Sequence, residues 1–315
     1  MNKEQCREYI HGAIATIPTA FDAKFNIDFG RMAELTKWWV SQGLATSYFP
    51  LKVAAAMGEG PFMSPDEWPI LLQTVVNAAG PDANILCALQ IRDTLHTIED
   101  AKKAQDLGAT GLQIALPFMA HPTQDDYYRF FSDISEKIDI GIMIYNTYWF
   151  GCEPMGVQTM QKLSRNTEHV VAIKWTVPDG NNPAFPAYDQ MSEFSADINV
   201  IDNSMQPARC HKLGGKGFIS SIICAYPEAI IKCWNLLEAK KYNEFQAIWN
   251  NVEEPIQEWK KKNSDLSGAY RGVKGVMDAI GKYVGPSRPP TLGLNSRELS
   301  ELKALVKKHG FPIYN

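Results

Sequence analysis

The chain contains 315 residues, of which 45% are hydrophobic and 21% are charged, and its formal net charge is −4. This composition is typical of a globular protein with a core. Its Lys and Arg residues are scattered and form no basic stripe, which disfavours a nucleic-acid partner. Charges close to the N-terminus argue against a signal peptide, and no apolar run approaches the length of a membrane span. We therefore expect a cytoplasmic protein with no membrane partner.

Short apolar runs alternate with longer amphipathic segments along the chain. The runs IGIMIY and VVAIK are apolar almost throughout, as strands covered on both faces of a sheet require. The pattern predicts eight strands, at residues 13–18, 47–52, 84–89, 111–115, 141–145, 170–174, 199–201 and 217–220. It predicts helices at residues 28–42, 94–107, 123–138, 156–163, 187–194 and 205–213, and one more that begins at Ser64 as its N-cap.

Eight strands that alternate with helices, without a break in composition, predict a (β/α)8 TIM barrel of the α/β class. We assign the barrel and its active site to residues 1–225, and a C-terminal helical extension packed on the barrel to residues 226–315. Neither GxGxxG nor GxxxxGK[ST] follows the first strand, which argues against a nucleotide cofactor. The six cysteines and six histidines show no CxxC, HxxxH or HExxH spacing, so we expect reduced thiols, no metal site and no cofactor.

Two polar residues end strongly apolar strands, and they are the candidates for chemistry. Active residues of such barrels lie at the C-terminal ends of strands, where Tyr145 closes IGIMIY and Lys174 closes VVAIK. A lysine desolvated in a barrel mouth is biased towards the neutral amine that Schiff-base formation needs, and a nearby phenol can move protons. A lysine after a strand can also extend into solvent, and a tyrosine there can cap the core, so spacing alone leaves these alternatives open.

Six segments in chain order strengthen the chemical interpretation. They are GAIATIPTAFDAKFNID, AAAMGEGPFMSPDEW, YNTYWFG, VVAIKWT, KLGGKGFISS and GKYVGPSRPPTLGL. Their order and spacing resemble the dihydrodipicolinate synthase / N-acetylneuraminate lyase family over essentially the whole chain.

The resemblance implies a class I aldolase that forms a Schiff base with pyruvate or another 2-oxo acid, uses an aldehyde as second substrate, and assembles as a homotetramer. Lys174 matches the Schiff-base lysine of the family, and Tyr145 matches its proton-handling tyrosine. Gly58 and Glu59 match the end of the family's GTTGE loop, and Ile219 matches an apolar residue that lines the pocket.

Three features of the family's dihydrodipicolinate synthases are replaced. Ala56 and Met57 stand for the two threonines of GTTGE, which leaves only backbone N–H groups there for the substrate carboxylate. Pro-Phe-Met replaces Pro-Tyr-Tyr after the fourth strand, so the tyrosine of a proton relay is absent. An apolar cluster replaces the arginine that binds the acceptor's carboxylate, and it consists of Tyr148, Trp149 and Phe150.

These replacements argue against lysine biosynthesis and favour aldol or retro-aldol chemistry with an apolar or aromatic aldehyde, as in the hydratase-aldolases. The aromatic cluster would then be a substrate wall, although such clusters equally form cores and subunit interfaces. One alternative is a dehydratase or aldolase of a sugar-derived 2-oxo acid, with Asn146, Thr147 and Thr176 as polar contacts. Another is a non-catalytic family member that binds a small 2-oxo acid.

Overall fold

The computed structural model of the protein describes residues 1–178, 185–263 and 269–314. Eight parallel strands close into a barrel in chain order, and β8 pairs with β1. The strands are β1 (Gly12–Thr16), β2 (Leu51–Val53), β3 (Ile85–Leu89), β4 (Gly111–Ala115), β5 (Gly141–Asn146), β6 (Val170–Trp175), β7 (Asn199–Asp202) and β8 (Gly217–Ser220). The predicted TIM barrel is therefore confirmed.

Helices follow the strands as the sequence pattern predicts. They are α1 (Lys3–Tyr9), α2 (Phe29–Ser41), α3 (Glu67–Ala79), α4 (Thr94–Asp106), α5 (Gln124–Ser135), α6 (Val157–Asn166), α7 (Pro207–Lys212), α8 (Pro227–Glu238), α9 (Tyr242–Val252), α10 (Glu254–Lys262), α11 (Ala269–Ala279) and α12 (Ser296–Lys308). The segment predicted as a helix at residues 187–194 forms a 3-10 helix at Tyr188–Glu193 instead.

The predicted start of α3 at Ser64 is wrong. The helix begins at Glu67, and Asp66 is its N-cap without a side-chain hydrogen bond. The carboxylate of Glu67 reaches back to accept the N–H of Ser64 at 2.8 Å. The sequence Ser-Pro-Asp-Glu therefore supplies one of the two side-chain contacts of a capping box, but one turn ahead of the helix.

The barrel interior holds a small apolar cluster at its N-terminal end. Side chains from alternate positions of the strands meet there, among them Ile14, Leu86 and Met143. Helix α1 closes this end of the barrel, because its Cys6 belongs to the same cluster. A larger cluster lies between the outer faces of the strands and the helices, so both faces of the sheet are covered as the near-continuous apolar strands require.

The helices after β8 lie against the barrel and against each other. Helix α8 packs on β1, and α11 packs on α12 and on the turn after β2. The division of the chain at residue 225 stays a prediction. No helix within the described ranges is long and apolar enough to cross a membrane, and the same ranges contain no group of three His, Cys, Asp or Glu residues placed to hold a metal ion.

Candidate active site

Tyr145 and Lys174 lie side by side near the C-terminal ends of two neighbouring strands. They are direct partners in the register of β5 and β6. The amine nitrogen of Lys174 is 3.9 Å from the centre of the Tyr145 ring. Both side chains point into the barrel, because alternate residues of each strand do so. The sequence-predicted pair is thus brought together.

Burial decides the protonation of Lys174. Its side chain is only 7% exposed, and desolvation lowers the pKa of its ammonium from 10.5 to about 7. Removing water penalises the charged form, and no described carboxylate pairs with this amine to restore it. A large fraction of Lys174 is therefore a neutral amine near pH 7, which is the state that attacks a carbonyl carbon.

A cavity of about 310 Å³ opens beside Tyr145 at the C-terminal ends of β2 to β5. No described residue that lines it is charged. The lining consists of Ala55, Ala56, Pro61, Ala88, Leu89, Gln90, Ile91, Gln113, Ala115, Phe118, Tyr145 and Phe150. Its volume suits a small organic ligand, and its lining favours an uncharged group on that ligand.

The loop after β2 supplies one wall of the cavity. Residues Ala56–Gly58 form a 3-10 turn, and of these Ala56 belongs to the lining whereas Met57 and Gly58 do not. A Cβ on Gly58 would lie 2.8 Å from the carbonyl oxygen of Ile17, and the Gly58 carbonyl accepts the hydroxyl of Thr19 at 2.6 Å. Glycine is thus required here for close approach to the segment after β1.

Glu59, in the same loop, has structural partners. Its side chain is fully buried, and its carboxylate forms an ion pair with Lys274 of α11 and accepts the backbone N–H of Arg288 at 2.7 Å. It is absent from the lining of the cavity. The carboxylate therefore holds the loop against the C-terminal part of the chain, and direct contact between Glu59 and a substrate stays a prediction.

The aromatic cluster divides into parts with different surroundings. Phe150 lines the cavity, stacks on Phe118 with ring centres 4.8 Å apart, and meets Tyr145 edge to face at 5.3 Å. Trp149 is 56% exposed and lies outside the lining, although its ring is 6.2 Å from that of Tyr145. Tyr148 begins the turn that carries the cluster, and its side chain lies outside the described part of the structure.

The polar residues proposed for a sugar-derived substrate mostly have structural partners. Asn146 donates to the carbonyl of Met155 and accepts its N–H. Thr176 accepts a hydrogen bond from Asn203 at 3.0 Å. The hydroxyl of Thr147 is buried without a partner among the described residues. None of the three lines the cavity.

Two interior residues were missed by the sequence interpretation. Lys52 lies on β2 with no exposed surface, and its amine donates to the amide oxygen of Gln113 on β4 at 2.8 Å. Desolvation, followed by repulsion from Lys174, lowers the pKa of Lys52 well below 10.5. The available signal was a Lys and a Gln inside the apolar runs PLKVAAA and GLQIAL.

Ile219, on β8, packs against the apolar cluster of the interior as expected for a pocket residue, but it is not part of the cavity lining.

A closed eight-stranded barrel with a desolvated lysine on its sixth strand has the architecture of a class I aldolase or lyase. The model of the dihydrodipicolinate synthetase family matches residues 9–309 of this chain. The chain therefore belongs to that family, whose members are carbon–carbon lyases of the class I aldolase type.

Relatives of known name agree with this assignment. A 4-hydroxy-tetrahydrodipicolinate synthase of Heliobacterium modesticaldum is 26% identical over 306 residues, which cover 94% of this chain and 95% of that protein. A 4-hydroxy-tetrahydrodipicolinate synthase 1 of Halalkalibacterium halodurans is 30% identical over 299 residues, covering 93% of this chain and 96% of that protein.

Solved structures share the fold. A dihydrodipicolinate synthase of Aquifex aeolicus superposes with a TM-score of 0.83 at 21% identity, over 97% of this chain and all of that one. CdNal of Clostridium difficile, solved in complex with mannosamine, superposes with a TM-score of 0.83 at 18% identity, over 95% of this chain and 99% of that one.

Proposed function

We propose that this protein is an aldolase in which Lys174 forms a Schiff base with a 2-oxo acid such as pyruvate. The observation that carries the proposal is the buried, uncompensated amine of Lys174 beside Tyr145. The neutral amine attacks C2 of the 2-oxo acid, and loss of water gives a protonated imine. The imine withdraws electrons from C3, which then loses a proton to form an enamine.

The enamine carbon attacks the carbonyl carbon of an aldehyde to form the new carbon–carbon bond. The aldehyde oxygen takes up a proton, and water then hydrolyses the imine and restores Lys174. The reverse sequence cleaves the same bond. We propose that Tyr145 carries protons in these steps, and the support is the distance of 3.9 Å between the centre of its ring and the Lys174 amine.

We infer that the second substrate is an apolar or aromatic aldehyde. The support is the cavity, whose described lining contains no charged side chain and includes the stacked rings of Phe118 and Phe150. An aromatic ring placed against them would gain from apolar burial, at about 25 cal/mol per Å², and from ring contacts. An aldehyde that carries a carboxylate would lose water there without a compensating charge. Aspartate semialdehyde is therefore expected to be a poor acceptor.

A dehydratase or aldolase of a sugar-derived 2-oxo acid is the second candidate. The observation in its favour is the presence of two amide side chains, Gln90 and Gln113, in the cavity lining. Gln90 already donates to the carbonyl of Ala54 at 2.9 Å, which reduces its capacity to bind hydroxyl groups.

A homotetramer in the cytoplasm is a further expectation, and light scattering of the purified protein tests its assembly.

Trapping of the imine tests the core of the proposal. Incubation with pyruvate and borohydride should add one reduced pyruvyl group, which mass spectrometry should map to the peptide that contains Lys174. Lys174→Arg should abolish the adduct, because a guanidinium supplies no neutral amine. Absence of an adduct with pyruvate and other small 2-oxo acids would support a non-catalytic binding protein.

A panel of aldehydes tests the second substrate. Benzaldehyde-like, aliphatic and sugar aldehydes are compared with aspartate semialdehyde by kcat/KM in the wild type, in Phe150→Ala and in Trp149→Ala. We expect Phe150→Ala to reduce the preference for aromatic aldehydes more than Trp149→Ala does, because Trp149 is largely exposed. A ranking led by sugars would put the second candidate first, and efficient use of aspartate semialdehyde would contradict both.

A further inference from the structure

Lys52 and Gln113 form a buried polar pair in the barrel interior. Gln113 pairs in register with Met143, two residues before the level of Ala115 and Tyr145, so it lies deeper in the barrel than Tyr145. Lys52 has no exposed surface and Gln113 is 4% exposed, yet Gln113 contributes to the cavity lining. The pair therefore lies at the inner end of the cavity.

The hydrogen bond between the two residues fixes the orientation of the Gln113 amide. The Lys52 amine donates to Oε1 of Gln113 at 2.8 Å, and only the carbonyl end of an amide can accept such a bond. The NH2 group of Gln113 is then left to other partners. No hydrogen bond from this group is found to any residue within the described ranges. Because Gln113 lines the cavity, this donor is available to an oxygen atom of a ligand bound there.

The imine proposed at Lys174 favours an anionic group close to it, because the imine is protonated once it forms. Lys174 lies beside Tyr145, and Tyr145 lines the same cavity as Gln113. No Asp or Glu is found among the described lining residues. A carboxylate next to the imine would therefore meet no like charge there and would accept a hydrogen bond from the Gln113 amide.

We propose that Gln113 binds the carboxylate of the 2-oxo acid and that Lys52 is the positioning residue that orients it. This inference rests on the proposed Schiff base at Lys174. The inference explains how the substrate carboxylate can be bound although Ala56 and Met57 stand in place of hydroxyl side chains in the loop after β2. The amide donor on β4 then takes over part of the recognition.

A comparison of two ketones tests the inference. Pyruvate and acetone both carry the carbonyl that reacts with Lys174, but acetone has no carboxylate. The concentration that gives half-maximal borohydride trapping is measured for each in the wild type, Gln113→Leu, Gln113→Glu and Lys52→Met. Gln105→Leu is the matched control, because the amide oxygen of Gln105 also accepts a hydrogen bond, from the Asp139 N–H, at a distance from the cavity.

We expect Gln113→Leu to raise the half-maximal pyruvate concentration by about ten- to a hundredfold, the usual effect of one hydrogen bond to a charged group. The value for acetone should be unchanged. Gln113→Glu should raise the half-maximal pyruvate concentration at least as much, because it replaces the donor by an anion while it keeps the contact with Lys52. Lys52→Met should raise the half-maximal concentration of pyruvate but not that of acetone. Gln105→Leu should change neither value.

The outcomes separate this inference from the proposed function. No trapping of pyruvate by the wild type would refute the Schiff base itself. Normal trapping by the wild type, with an unchanged ratio of pyruvate to acetone in Gln113→Leu, would overturn the role of Gln113. If Gln113→Leu does not fold, the ratio in Gln113→Glu decides, because glutamate preserves the size of the side chain.

Discussion

The pKa of Lys174 predicts how imine formation depends on pH. The rate of imine formation is measured at a series of pH values from 5.5 to 10, at a fixed pyruvate concentration well below saturation. Burial lowers the pKa of Lys174 to about 7, so the neutral fraction is about one tenth at pH 6, one half at pH 7 and nine tenths at pH 8. The rate of imine formation should therefore rise about fivefold from pH 6 to pH 7, about twofold from pH 7 to pH 8, and level off above pH 8.

The neutral fraction at pH 7 distinguishes a buried lysine amine from an ordinary one. At the usual value of 10.5 the neutral fraction at pH 7 would be about one in three thousand, and the rate would keep rising up to pH 10. Samples are quenched with borohydride after set times, and the adduct on Lys174 is counted by mass spectrometry. Lys174→Arg gives the background at each pH.

Two neighbours of Lys174 enter the interpretation of the profile. Lys52 has its own lowered pKa and Tyr145 carries a phenol, so the same series is repeated with Lys52→Met and Tyr145→Phe. The inflection near 7 should persist in Tyr145→Phe. A rate that climbs steadily through pH 9 in the wild type would refute the claim that burial controls the amine.

Three further predictions concern single positions. Tyr145→Phe should leave the circular dichroism spectrum unchanged and reduce kcat by roughly a hundredfold or more, the usual scale for a general acid–base group; near-normal turnover would assign the proton transfers to another group. Gly58→Ala should lower the midpoint of urea unfolding, because its Cβ would lie 2.8 Å from the Ile17 carbonyl oxygen; Gly293→Ala is the matched control, because Gly293 is exposed, has open space around its Cβ and, like Gly58, has no positive φ. Lys174→Met should raise the free energy of unfolding at pH 7 by up to about 4 kcal/mol, since the lowered pKa makes protonation unfavourable in the folded state only. That gain should shrink as the pH approaches 10.5, where the unfolded chain also loses the proton, and a gain that grows with pH would contradict this explanation.

The strands were predictable because both of their faces are buried. Runs such as IGIMIY and VVAIK admit few structures other than a covered strand, and their bounds agree with β5 and β6 to within one residue. The start of α3 was not predictable in this way. Ser-Pro-Asp-Glu satisfies the rules for an N-cap at Ser64, but the chain forms a separate turn before the helix begins. Local sequence identifies the partners of a cap better than the residue at which the helix begins.

The site was predictable only where a strand end carries a polar residue. Lys174 and Tyr145 follow apolar runs and are therefore visible in the sequence. Glu59 looked equally functional by its place in the loop, but its partner Lys274 lies 215 residues further along the chain, on α11. No local pattern indicates a contact over that separation, so the buried ion pair could be found only in the three-dimensional structure.

Lys52 shows how strand register decides between two roles for the same residue type. It ends its predicted strand at residues 47–52, as Lys174 ends its own, but it was not among the residues that the sequence predicted to carry chemistry. In the structure β2 continues to Val53, and Lys52 lies one strand away from Leu86 of the interior cluster, its partner in register. An inward lysine in a barrel can reach water only through the cavity, and Lys52 reaches the amide of Gln113 instead. A shift of the register by one residue would have turned this lysine outwards against the helices. The polar contact at the inner end of the cavity therefore depends on the pairing of β2 with its neighbours, which a nearly continuous run of apolar residues does not specify.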